Sequence, residues 1–190
     1  MLHEPTNPIL RGSAFARAME QMQVGADLNH ITIDGYTFYF TGDFTIEHYP
    51  QREMSAEKNY GGIVVSARCD RILGKVIVDD KTTERFDAEK YWDQYQWSLY
   101  LDIFGADKFI WNVWEVKKMN KPKSFCVNTL HLLSQYRYPA MERDCRDLAQ
   151  EYKEFAERYL RGRRSSTQEG RSTEMRVSVS NLDLFRLRQR

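Results

Sequence analysis

Three residues near the middle of the 190-residue chain, Asp70, Asp79 and Lys81, have the types and spacing for metal-assisted hydrolysis. They lie in the stretch CDRILGKVIVDDKTT (Cys69–Thr83), an apolar run fit for a buried strand that ends in two aspartates and a lysine. Aspartate is depleted from strands and an unpaired buried carboxylate is costly, so acids at a strand's end imply something for them to hold. Residues two apart on an extended strand share a face. Asp79 and Lys81 therefore project together, Asp80 projects the other way, and Asp70, on the preceding strand of a hairpin, can lie beside Asp79. Two carboxylates about 4 Å apart repel by roughly 4 kcal/mol at an effective dielectric of 20. A shared proton or a divalent cation relieves that repulsion. Two hard oxygen donors, a backbone carbonyl and several waters suit Mg2+. The lysine would then contact a metal-bound water or a scissile phosphate and stabilise developing negative charge. That is a chemistry for hydrolysing phosphodiesters. A DxK triplet alone is common by chance, and its simplest reading is an exposed salt bridge on a surface hairpin.

The surrounding elements must place these groups. DAEKYWDQYQWSLYLDIFG (Asp87–Gly105) is expected to form one helix, capped by Asp87 and ended by Gly105. Gln96 and Tyr100, four apart on it, share a face; aimed at the hairpin they would orient Lys81 or contact a DNA backbone, and otherwise they are a satisfied amide and a core aromatic. The spacing of Phe15, Ala18, Met19 and Met22 predicts an amphipathic helix over Ile9–Val24. Its Glu20 is a further candidate oxygen ligand, although taken alone it reads as a solvated glutamate.

The remaining pattern predicts a hairpin around Asp34-Gly35 and a strand over Phe44–Met54, which Pro50 pushes toward a sheet edge. SAEKNYGG (Ser55–Gly62) reads as a loop. Two nearly continuous apolar strands then turn through Leu73-Gly74, with both faces expected to be covered. Strands over Lys108–Val116 and Ser124–Leu133 follow, then a helix from Pro139 to Arg163 with Met141, Leu148, Tyr152, Phe155 and Leu160 on its buried side. This order implies a mixed α/β fold with helices covering a central sheet. Residues 1–163 form the expected domain and residues 164–190 a basic tail expected to be flexible, within which Met175–Arg190 reads either as a short strand or as a partner-binding segment.

Composition narrows the classes. Cys69, Cys126 and Cys145 are far apart and form no CxxC pair, which argues against a zinc site, an iron–sulfur cluster or a disulfide framework and fits a reducing compartment. The chain starts without an apolar core of signal-peptide length, and no segment approaches the roughly 18 apolar residues of a membrane span, so a cytoplasmic location is expected. The net charge of +1 divides into +5 over Arg161–Arg190 and −4 over the rest. A basic tail is compatible with nucleic-acid binding without requiring it. His48 and His131 are lone histidines in strand-like runs and read as structural. Trp111, Trp114 and Tyr136 could stack on unpaired bases, but their alternation favours core packing.

CDRILGKVIVDDKTT followed by YQWSLYLDIFG resembles the PD-(D/E)XK nuclease superfamily, in particular its RecB-type and phage-exonuclease branch. There a hairpin Asp, a (D/E)xK with trailing Thr or Ser, and a QxxxY on the next helix form the signature. The resemblance implies that family's restriction-endonuclease-like core and a Mg2+-dependent deoxyribonuclease, with Mn2+ able to substitute. It implies Asp70 and Asp79 as metal ligands, the Asp80 carbonyl completing the metal shell, Lys81 as the catalytic lysine, and Gln96 and Tyr100 as the helix motif. GSAFARAME resembles the family's first motif, with Gly12 and Glu20 matching; Ala16 stands where the family's His is expected, and Ala67 where a Gly is frequent. The resemblance further implies an exonuclease acting on DNA ends in recombination or repair, in a host cytoplasm if phage-encoded, with a single-strand annealing or recombination protein as a possible partner. The alternatives are a structure-selective endonuclease on the same core, a catalytically inactive DNA-binding module, and a non-nuclease α/β protein.

Overall fold

Period-two alternation through the middle of the chain produces a mixed sheet, seen in a computed structural model that describes residues 7–21, 29–42, 44, 51–159 and 175–180. The elements are α1 (Asn7–Gln21), β1 (His30–Ile33), β2 (Tyr36–Phe40), β3 (Gln51–Asn59), β4 (Ile63–Leu73), β5 (Val76–Thr83), α2 (Glu89–Trp92), α3 (Gln96–Phe104), β6 (Lys108–Lys118), β7 (Ser124–Tyr136), α4 (Met141–Tyr159) and β8 (Met175–Ser178). The strands run in the order β1-β2-β7-β6-β5-β4-β3, with β8 beside β4. The β2–β7, β5–β6 and β4–β8 pairs are parallel and the others antiparallel. The chain is thus α/β, a mixed central sheet flanked by helices.

Alternation along β6 divides the molecule into two cores. Phe109, Trp111 and Val113 join the core beneath α3 and α4, while Trp114 and Val116 join the one beneath α1. Both tryptophans are fully buried, as their alternation predicts, whereas Tyr136 is 59 % exposed and packs in neither core. On α1, Ala14, Phe15, Ala18 and Met19 are buried, with the Phe15 ring edge-on to Phe38 at 5.1 Å between centroids. Arg11 ties this helix to the chain just past β5 through Glu84, at 2.6 Å. The hairpin at Asp34-Gly35 forms with positive φ at both residues (51° and 75°), the requirement of a type I′ turn.

Two sequence expectations need correction. Ser55–Asn59 belong to β3, not to a loop, and the turn is confined to Tyr60–Gly62. These residues are poor strand formers, but β3 is an edge strand whose backbone ladder with β4 runs from Gln51 to Asn59, and one mostly solvent-facing side tolerates polar residues. The second correction concerns the helix expected from Asp87 to Gly105, which breaks at Asp93–Tyr95 into α2 and α3. In one straight helix Tyr91 and Tyr100, nine residues apart, would point to sides about 180° apart. The break lets both rings reach the same core, Tyr91 toward Trp111 and Tyr100 edge-on to Phe109. Asp87 still accepts from the Glu89 amide at 3.2 Å, and Gly105, with φ of 62°, still ends α3. On α4 the apolar stripe buries Met141, Cys145, Leu148, Ala149 and Ala156, with Tyr152 and Phe155 packed against the core. Residues 160–174 and 181–190, with Leu160 and most of the expected tail, lie outside the described residues, as do Met22, His48 and Pro50. Met175–Ser178, part of that tail segment, forms β8. Among the described residues no helix is long and apolar enough to cross a membrane.

What holds α3 in place is a buried anion absent from the sequence-level reading. The Asp102 side chain is 1 % exposed; it accepts from Lys58 Nζ of β3 at 2.9 Å, Tyr60 Oη at 2.7 Å and Arg137 Nη1 at 3.4 Å. Arg137 also donates to the carbonyls of Leu101 and, at 3.0 Å, Ala106, satisfying the C-terminal end of α3. Burial first, and then Asp102, push the Tyr60 hydroxyl far above its ordinary pKa, which keeps it a donor. Removing one member of such a buried network leaves the others unpaired. Asp102→Ala is expected to lower unfolding stability by about 3 kcal/mol, the lower end for a broken buried pair because Lys58 and Arg137 are partly solvated; urea unfolding followed by far-UV circular dichroism checks this.

Candidate metal centre

β4 and β5 leave the Leu73-Gly74 turn as a hairpin, but their ladder is short: Leu73 pairs with Val76, Ile72 with Ile77 and Arg71 with Val78. The next rung would set Asp70 opposite Asp79. Like charges directly opposite each other destabilise an antiparallel pair, and the strands part at this rung. Strand alternation also slips here, since Cys69 and Ile72 both bury in the α3–α4 core. Across the β3–β4 ladder Glu53 has φ of 50°, a left-handed conformation unusual for a residue with a Cβ.

Beyond the parting, β5 stays paired with β6 to its end, Asp79 beside Trp111, Asp80 beside Asn112 and Lys81 beside Val113. This register divides the charges between the two faces. On the α3 face, Lys81 Nζ lies 2.8 Å from Asp79 Oδ2. On the opposite face, the Asp80 carboxylate receives Arg71 Nη2 at 2.5 Å and Trp114 Nε1 at 2.8 Å, and is also hydrogen-bonded to Asn112. Burial pushes the Asp80 carboxyl upward, opposed by Arg71 and by the Trp114 and Asn112 hydrogen bonds. Asp80 is thereby committed structurally, and only its backbone carbonyl remains to serve a metal.

The structure brings five of the sequence-derived residues together. Asp70 and Asp79 are near enough to share a hydrogen bond, and Lys81 and Tyr100 both feel the charge of each carboxylate. Tyr100, hydrogen-bonded to Gln96 one helical turn away, donates its hydroxyl to the Arg68 carbonyl of β4 at 2.6 Å. Gln96 and Tyr100 thus act as one unit that holds α3 against the parted strand. Glu20 is different. Its backbone lies on α1, which packs over the face bearing Asp80 and Thr82, and its side chain lies outside the described residues. Gly12 is not forced by packing, for a Cβ there would meet Thr82 Oγ1 at an ordinary 3.9 Å.

The electrostatics describe a site poised for a cation. Burial, and next the charge of Asp79, raise the Asp70 carboxyl to about 7, with Lys81 opposing. Burial disfavours the Lys81 ammonium, but Asp79 and then Asp70 override it and hold the lysine above its ordinary pKa, so it is a cation and not a base. Burial, and then Asp79, push the Tyr100 hydroxyl up to about 12, so it remains a donor. Asp79 Oδ2 is buried, and the approach of Lys81 is too poorly angled to complete a hydrogen bond to it. An orphaned buried carboxylate oxygen beside a second carboxylate is a donor set that fits a hard divalent cation. Among the described residues no three His, Cys, Asp or Glu side chains converge. Mg2+ binds through one or two carboxylates with water filling its other positions, so Asp70 and Asp79 suffice.

Sequence reasoning missed several neighbours of this centre. Arg71 and Trp114 neutralise Asp80, and Tyr91, hydrogen-bonded to Thr83, lies close enough to Lys81 and Asp79 to feel both charges. The alternation of β4 and β6 could have located Arg71 and Trp114 once the β5–β6 register was known, but that register is not local. His131 pairs with Glu115 at 3.3 Å and stacks on Phe86 at 3.8 Å, a structural role as expected. Burial pushes the Cys69 thiol up to about 11 and the Cys145 thiol to about 12, so neither is a nucleophile. The chain matches no known protein-family model and no curated protein.

The raised Asp70 carboxyl sets the sign of a pH effect. Between about pH 4, where an unfolded aspartate ionises, and about 7, the folded protein holds a proton that the unfolded chain has released. Stability from this group is therefore complete below about pH 4 and is lost as pH rises to 7. In EDTA, Asp70→Asn is expected to remove that slope and to raise the thermal midpoint above that of the parent protein at pH 8. Mg2+ should raise the midpoint of the parent and not that of the variant; thermal melts at pH 4 to 8, with and without Mg2+, check both.

Proposed function

We propose that the chain is a Mg2+-dependent DNA nuclease with the PD-(D/E)XK core, acting as an exonuclease on DNA ends in recombination or repair. The observation that carries the reading is the meeting of Asp70, Asp79 and Lys81 where β4 and β5 part, with Asp79 Oδ2 buried and short of a donor. The resemblance of the Asp70–Lys81 and Gln96–Tyr100 motifs supplies the reaction class.

Asp70 and Asp79 would hold the cation, with the Asp80 carbonyl as a third oxygen and Glu20 as a further ligand, direct or through water. Mg2+ so bound supplies a Lewis acid that draws charge from a phosphate oxygen and lowers the pKa of a bound water. Lys81 contributes a fixed positive charge 2.8 Å from Asp79, placed to hold the attacking water and to stabilise charge developing on the phosphate. Because its ammonium is held charged, Lys81 stabilises charge without removing the proton itself. Gln96 fixes Tyr100, and Tyr100 keeps the parted edge of β4 in register with α3. Arg71, by neutralising Asp80 on the far face, keeps a third negative charge away from the pair. The motifs contain no base-reading element, so cleavage is independent of sequence. The partners of this reading are DNA and a single-strand annealing or recombination protein, in the cytoplasm.

Linear and circular duplex DNA, incubated with Mg2+, Mn2+ or EDTA, give the test. Metal-dependent loss of linear DNA alone is expected, with a fall of at least about 100-fold in Lys81→Ala, the scale of removing one preorganised charge. Cleavage of both forms would make the protein an endonuclease. No cleavage, or undiminished activity in Lys81→Ala, would remove the site assignment.

A further inference from the structure

Along one edge, β4 has neighbours only at its two ends. β5 pairs with Arg71–Leu73, β8 pairs with Ile63–Ser66, and among the described residues no strand pairs with Ala67–Asp70 on that edge. A cleft of about 390 Å³ lies at this interval. Tyr100 is part of its wall, and Tyr100 also senses the charges of Asp79, Lys81 and Asp70, so the cleft adjoins the candidate metal centre. The rest of the lining is small and polar, with the hydroxyl-bearing Ser55, Ser66, Ser178 and Ser180 and the guanidinium-bearing Arg68. One carboxylate, Glu57, lines it, and that group is ion-paired with Arg176 of β8 at 3.1 Å. Because β8 runs parallel to β4 with Ser178 beside Ser66, the chain continues through Val179 and Ser180 into the cleft and closes its far end.

We infer that this cleft seats the substrate strand on one side of the scissile phosphate, and that β8 with Val179-Ser180 is the wall that limits how much strand lies beyond it. The inference rests on the nuclease reading above. Serine hydroxyls and an arginine are donors suited to phosphate and sugar oxygens, which position a strand without reading its bases. From Asp70 to Ser66 is four residues of strand, about 13 Å at about 3.3 Å per residue. A stacked nucleic-acid strand advances about 3.4 Å per nucleotide, so about four nucleotides fit before the strand meets β8. A closed end also admits a strand only by its terminus, which gives end-dependence a structural cause. The C-terminal segment is then part of the substrate site.

The test uses the full chain with Mg2+ on a uniformly labelled linear duplex, with products sized on a denaturing gel. Products of about four nucleotides or fewer are expected. Ser180→Trp, at an exposed position in the cleft wall, should shorten them further or slow degradation at least tenfold, while Mg2+ binding measured by calorimetry stays as in the parent. Products mainly longer than about ten nucleotides, more than twice the seat length estimated from strand rise, would overturn the inference. So would Ser180→Trp products and rates equal to those of the parent. In either case the nuclease reading survives, because the parent protein still cleaves. If the parent cuts nothing in Mg2+ or Mn2+, both readings fall together.

Discussion

Two carboxylates that would have to face each other across a hairpin set the form of this molecule. The register that pairs Arg71 with Val78 leads next to Asp70 and Asp79, and a ladder does not tolerate two like charges directly opposed without a counter-charge. The hairpin therefore ends its pairing there. From that parting follow the bare interval on β4, the docking of Tyr100 on the Arg68 carbonyl, and the position left for β8 farther along the strand. The left-handed Glu53 and the slip in alternation at Asp70–Arg71 mark the same place from the other side of β4.

A parted sheet needs a rigid support, and α3 supplies it. Its motif pair, Gln96 and Tyr100, meets the site at one end, while Asp102 anchors the other end to β3 through Lys58 and to the segment after β7 through Arg137. The break between α2 and α3 serves the same packing, since it lets Tyr91 and Tyr100 enter one core from a chain that a single helix would have turned apart. Position in the site and stability of the fold thus depend on neighbouring residues of one short helix. A change at Asp102 would act through folding, and one at Tyr100 through the site.

Strand β5 separates two electrostatic tasks by its pleat. Asp80 is satisfied on one face by Arg71, Trp114 and Asn112 and is stable as it stands. Asp79 on the other face has a lysine close by but no aligned donor on its buried oxygen, and Asp70 beside it is held partly protonated near neutral pH. The same two-residue alternation that makes a strand produces one closed carboxylate and one open pair. The open pair is where a cation lowers the energy of the whole arrangement.

Much of this was legible from local pattern. The sharing of a face by Asp79 and Lys81, the opposite orientation of Asp80, the pairing of Gln96 with Tyr100, the type I′ hairpin at Asp34-Gly35 and the burial of Trp111 and Trp114 all follow from periodicities of 2 and 3.6, which depend only on neighbours along the chain. What sequence alone could not determine depends on partners far away in it. Ser55–Asn59 form a strand because β4 offers a ladder, against their own propensity. Asp87–Gly105 breaks because two tyrosines must reach one core. Arg71 acquires its role from the register of β5 on β6, and Asp102 from Lys58 and Arg137, which lie 44 and 35 residues away. Local spacing determined which side chains share a face. Only tertiary packing decided which faces meet, because strand pairing and burial are settled by contacts that no short window of sequence contains.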